Sequence, residues 1–113
     1  MEVSVAAELP DNLIRYFAAQ NRHDAEGMTA CFEPEAEVRD EGHTYVGHDA
    51  IREWKRQTIA KYAIRIEPLE AQSNGDSLTV IARVTGNFPG SPANLTYDFV
   101  LGGDGLIQRL EIH

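Results

Sequence analysis

The spacing of apolar residues changes once along this chain, from helical spacing before position 63 to strict alternation after it, and that switch sets the architecture. In the first half, Leu13, Tyr16, Phe17 and Gln20 form a stripe over residues 10–22, with Pro10 or Asp11 at its start. Asp24 is placed to cap a short second helix whose stripe is Met28, Cys31 and Phe32, ended by Glu33 and Pro34. A third helix follows Gly47, with Ile51, Trp54, Thr58 and Tyr62 inward and Asp49 in its first turn. Lys55, Arg56 and Lys61 are assigned to its far end or solvent face. From Ala63 onward, strands are expected at 63–72 and 77–87 around Ser73-Asn74-Gly75-Asp76, and at 94–101 and 106–112 around Gly102-Gly103-Asp104-Gly105. Helices first and strands afterwards predict an α+β chain with helices gathered on one side of an antiparallel sheet. A length of 113 residues predicts a single domain spanning 1–113.

The strand around 77–87 is apolar on one side at Leu78, Val80, Ala82 and Val84, and only weakly polar on the other at Thr79, Ile81 and Thr85. With helices enough for one face, a second copy of the chain is expected to cover the other, giving a homodimer through the outer sheet face. A net charge of -8 excludes a phosphate-binding surface, so nucleic acid is not an expected partner. No apolar run approaches a membrane span, and the opening MEVSVAAELP has neither a basic start nor a long apolar stretch. The expected location is cytoplasmic. Cys31 is the single cysteine and is read as a small core hydrophobe.

One short stretch breaks the pattern. In AEVRDEG, residues 36–42, Ala36, Val38 and Asp40 share one side of an extended chain, so a carboxylate ends an apolar row. Asp40 has three readings: a turn former before Glu41-Gly42, a structural acid paired with a nearby His or Arg, or a pocket base whose proton affinity is raised by apolar surroundings. His43 and His48 lie close to it in sequence, but they flank a turn and a strand rather than one helix face, so no metal site is expected. No cofactor is expected. His43 is instead a candidate second acid-base group.

The stretch IRYFAAQNRHDAEGMTACFEPEAEVRDEG, followed by YVGHDAIREW, resembles the amino-terminal half of the nuclear transport factor 2-like superfamily, in particular its SnoaL-like and ketosteroid isomerase-like members. The later strands follow the same order, so the resemblance covers nearly the whole chain. It implies a cone: a strongly curved, mostly antiparallel sheet wrapped over three helices, with an apolar pocket at the open end. Tyr16 matches the tyrosine that holds the substrate oxygen in the isomerases, and Asp40 matches their general base. Tyr97 falls where those enzymes carry a second, protonated acid; this chain departs there, though a phenol still donates a hydrogen bond. The epoxide-hydrolase members use an Asp-Arg-Asp set inside the cone, whereas Arg83 and Arg109 here fall on the outer face.

The expectation is a pocket for an apolar, carbonyl-bearing small molecule, in which proton transfer drives isomerisation or cyclisation. Asp40 is the expected base, Tyr16 and Tyr97 the oxyanion donors, and His43 an auxiliary group. Phe17, Trp54, Tyr62 and Phe99 are the expected pocket wall. The alternative is a non-catalytic binding or interaction module on the same fold.

Overall fold

The computed structural model describes residues 9–113; the expectation about an export signal falls almost wholly on residues outside this range. Helix α1, Asp11–Asn21, starts behind Pro10, whose carbonyl accepts the first two helical bonds, from Leu13 and Ile14. It buries Leu13, Tyr16, Phe17, Ala19 and Gln20. Helix α2, Ala25–Thr29, is capped by the Asp24 carboxylate, which accepts from the Gly27 N–H at 3.0 Å. Strands β1, Phe32–Asp40, and β2, His43–Val46, form a hairpin through Glu41-Gly42. Helix α3, His48–Tyr62, follows, and β3, Arg65–Asn74, β4, Ser77–Thr85, β5, Ala93–Leu101, and β6, Ile107–Ile112, complete the sheet.

The strands lie in the order β2-β1-β6-β5-β4-β3, with β1 and β6 parallel and every other pair antiparallel. Register shifts interrupt three of these pairs, between Phe32 and Glu37, Pro68 and Glu70, and Val100 and Leu101; such irregularities bend a strand and increase its twist. The core lies between the helices and the inner sheet face. Tyr16 and Phe17 meet each other and Phe32, Tyr97 and Phe99 edge to face at 5.3–5.9 Å. Each such pair contributes roughly 0.5–1.5 kcal/mol beyond its buried area.

The α+β architecture matches the sequence reading, with three local corrections. Phe32 opens β1 rather than closing α2, because Pro34 disfavours helix in the residue before it and cannot donate a helical bond itself. Its ring still reaches the core, from an extended backbone. The β3–β4 turn is tighter than expected: Ser73 and Asn74 belong to β3 and Asn74 pairs with Ser77, leaving Gly75, at φ 66°, and Asp76 as the two-residue loop. Lys55 is not on the solvent face of α3; it is 2% exposed.

Candidate functional site

Sheet register assembles the site. Asp40 pairs with His43 on β2 and with Ile112 on β6, and Ile112 pairs with Tyr97 on β5. These four residues therefore form one row across four strands, on the same face as the buried Val38, Leu110 and Phe99. The row reaches the end of the sheet beside α3, where a cavity of about 520 Å³ opens. Its polar lining includes Asp40, His43, Tyr97 and Lys55, and its apolar wall includes Trp54 and Phe88. Two more open depressions, of about 560 and 770 Å³, lie around Arg39, Glu111 and His113, where Asp40 and His43 again contribute to the lining, and along Glu35, Glu37 and Arg109.

Asp40 is partly buried, and its carboxyl is held above the usual carboxylate value, chiefly by loss of solvent and then by the neighbouring Glu41 charge. Lys55, the hydrogen-bonding side chain of Trp54 and His43 act in the opposite direction. Tyr97 is 5% exposed, and burial followed by the Asp40 charge pushes its phenol further up. It therefore remains a protonated donor throughout the neutral range.

Lys55 supplies the charge that the sequence reading missed. Its Nζ donates to the Tyr16 hydroxyl at 2.6 Å and to Gln20 Oε1 at 3.2 Å, and lies 4.1 Å from the Trp54 ring centroid. No carboxylate among the described residues lies within ion-pair distance of it. Burial lowers its pKa to about 7, against the pull of Asp40. Gln20 lines the same cavity with a buried Nε2 that has no hydrogen-bond partner. The Trp54 ring is in turn stacked on Tyr45, with centroids 5.4 Å apart.

A family model for the SnoaL-like domain matches residues 13–102, which includes Asp40, His43, Trp54, Lys55 and Tyr97 but not Ile112. The chain belongs to the SnoaL-like family. A Sinorhizobium meliloti protein that carries the provisional name of polyketide cyclase is 41% identical, with a TM-score of 0.91 over 96% of this chain and 98% of that one. Two more distant structures share the fold. A Catenulispora acidiphila protein with a ketosteroid isomerase-like fold, solved in complex with trimethylamine, is 21% identical, with a TM-score of 0.81 over 92% of this chain and 85% of that one. SalBIII, an epoxide hydrolase/cyclase-like enzyme of pyran ring formation in salinomycin, is 20% identical, with a TM-score of 0.80 over 90% of this chain and 86% of that one. No curated protein matches the chain.

Within this SnoaL-like chain, the residues singled out from the sequence divide into two layers. Asp40, Tyr97, His43, Trp54 and Tyr62 line the cavity. Tyr16 lies one layer deeper, fully buried with its hydroxyl engaged by Lys55, and Phe17 and Phe99 pack against it and Tyr97. His48 is turned away, its Nε2 2.8 Å from the Phe32 carbonyl oxygen. Among the described residues, no group of three or more His, Cys, Asp or Glu side chains is arranged to hold a metal ion, and no helix is long and apolar enough to cross a membrane. The signal for Lys55 was present in the SnoaL-like sequence: it stands four residues after Ile51, on the same stripe as Trp54 and Thr58. A lysine in that position either reaches out to solvent or is buried, and spacing cannot distinguish the two outcomes.

Proposed function

We propose that the cavity binds an apolar small molecule bearing a carbonyl group, and that Asp40 removes a proton from the carbon beside that carbonyl. Tyr97 donates to the oxygen as negative charge develops there, with the buried Lys55 amine lining the same cavity. Tyr16 is a positioning residue acting through Lys55, and His43 exchanges protons with solvent at the mouth. Trp54 and Tyr62 form wall; Phe17 and Phe99 support the Tyr97 ring from below. The product is an isomerised or cyclised skeleton, in keeping with the provisional cyclase name of the relative that is 41% identical.

One observation carries this reading: a carboxyl with raised proton affinity and a phenol that stays protonated line one cavity of mixed polar and apolar surface, separated by a single strand. Those are the two halves of enolisation, a base and an oxyanion donor. The test is exchange of the carbon-bound protons of a ketone such as acetophenone derivatives in deuterated water, followed by NMR. Asp40→Asn should reduce exchange by about 10²–10⁴-fold with ligand affinity largely kept. Unchanged exchange removes the catalytic reading and leaves a small-molecule binding module.

The same reading includes a two-fold dimer, in which a second copy covers the partly exposed outer residues Thr79, Ile81 and Val100. It also includes a cytoplasmic location, supported by the absence of any cysteine pair and by the buried Cys31 thiol.

A further inference from the structure

Lys55 is a costly residue to place where it stands. The residue is 2% exposed, the hydrogen-bond acceptors of its amine are the neutral oxygens of Tyr16 and Gln20, and no described carboxylate is near enough to pair with it. A buried ammonium without a counter-ion is penalised, and a neutral amine is not. The neutral form has two N–H donors, matching those two oxygens, and one lone pair left over. The groups around it are Tyr16 and Gln20 from α1, Trp54 and Lys61 from α3, Asp40, Glu41 and His43 from the β1–β2 hairpin, and Tyr97 from β5.

We propose that the Lys55 amine is a nucleophile that captures the ligand's aldehyde or ketone carbon as an iminium ion. This deepens the reading above and rests on it, because it requires the cavity to accept a carbonyl compound. The nitrogen lone pair forms a bond to the carbonyl carbon, and the carbonyl π pair becomes a hydroxyl by taking up the proton that the nitrogen gives up. Loss of that hydroxyl as water, with a proton delivered by solvent at the cavity mouth, leaves a C=N⁺ bond to Lys55. The protonated imine draws electrons from the neighbouring carbon more strongly than the carbonyl does, so the Asp40 carboxylate then removes the carbon-bound proton to give a neutral enamine. Return of a proton at another carbon, followed by addition of water, regenerates the amine and releases the product. The balance needs only water and protons. The near-neutral proton affinity of Lys55 supports the step, since an ordinary lysine is less than about 1% free amine at pH 7.

The chain contains two lysines, Lys55 and Lys61, so the test has an internal control. Lys61 is exposed at the cavity mouth. The protein is incubated at neutral pH with hexanal, benzaldehyde or acetophenone and sodium cyanoborohydride, then digested and mapped by mass spectrometry. Reductive adduct at Lys55 should exceed that at Lys61 by more than about tenfold, because the Lys55 amine lies in the cavity and its pKa is lowered to about 7. Asp40→Asn should keep the Lys55 adduct while losing proton exchange, which separates failure of this inference from failure of the base assignment. Lys55→Met and Lys55→Arg should both abolish the mapped adduct and the exchange; the wild-type map stands even if neither variant folds. Adduct confined to Lys61 or the chain's amino terminus, or exchange that survives in folded Lys55→Met, overturns the proposal.

Discussion

The Nζ of Lys55 donates to the Tyr16 hydroxyl across 2.6 Å, joining α3 to α1 beneath the cavity. Both groups are buried, so the phenol oxygen that the sequence reading assigned to substrate is already occupied by protein. Tyr16→Phe removes one of two acceptors of a buried amine and should destabilise the fold by about 1–3 kcal/mol. Denaturant titration measures the loss. Loss of ligand affinity with unchanged stability would show instead that the hydroxyl binds ligand directly.

Lys55 should also shape the dependence of stability on pH. In the unfolded chain it keeps its proton to about 10.5, whereas burial releases it at about 7 in the folded protein. Between those values the unfolded chain binds more protons, so this residue's contribution to stability rises with pH across the window and is least favourable below about 7. Wild type should therefore gain on Lys55→Met between pH 7 and pH 10 by on the order of a few kcal/mol. A stability difference that stays flat across that range would place the amine in solvent.

Asp40 has the opposite sign. Its folded carboxyl holds a proton to higher pH than the unfolded one, so the associated stability is present below the usual carboxylate range and disappears as pH rises through the raised value. A base must be ionised to act, so proton exchange should rise with pH through a midpoint above the ordinary 3.8. Titration of the Asp40 carboxyl carbon by NMR measures that midpoint directly. A midpoint at or below 3.8 contradicts the burial of this carboxyl.

Phe99 touches Tyr16, Phe17 and Tyr97 at 5.8–6.2 Å and is 1% exposed. Phe99→Ala should cost about 3–5 kcal/mol and loosen the Tyr97 ring that rests on it. Thermal unfolding and the near-ultraviolet circular dichroism of the tyrosines report the two effects separately.

For the outer sheet face, light scattering at micromolar concentration should give twice the chain mass of 12.6 kDa. Ile81→Arg, on the face that the second copy covers, should return it to one chain mass with the far-ultraviolet spectrum unchanged. A wild-type monomer would leave that face to solvent.

Much of the site was legible because strand alternation is a local property. Ala36, Val38 and Asp40 share a side of any extended chain, and the structure keeps them on one face, with Val38 buried and Asp40 at the cavity. The helix stripes gave Tyr16, Phe17 and Trp54 their inward directions on the same grounds. Tyr45 and Gln20 were harder to read as site residues. Tyr45 reaches the cavity through stacking on Trp54, and Gln20 through its bond from Lys55, and both contacts join side chains of different elements. Pro34 shows the reverse case, a local signal that overrode the helical spacing of Met28 and Phe32.

By itself, the amino-acid sequence determined which side chains face inward and where the chain turns, because backbone geometry repeats over three or four residues in a helix and two in a strand. Only the tertiary structure decided what the inward groups are chemically. Lys55 became a near-neutral amine because α1 brought two oxygens and no carboxylate to it, and Asp40 became a weaker acid because β2, β5, β6 and α3 closed around it. Proton affinity depends on the solvent and charges within a few ångströms, and those neighbours come from the whole chain.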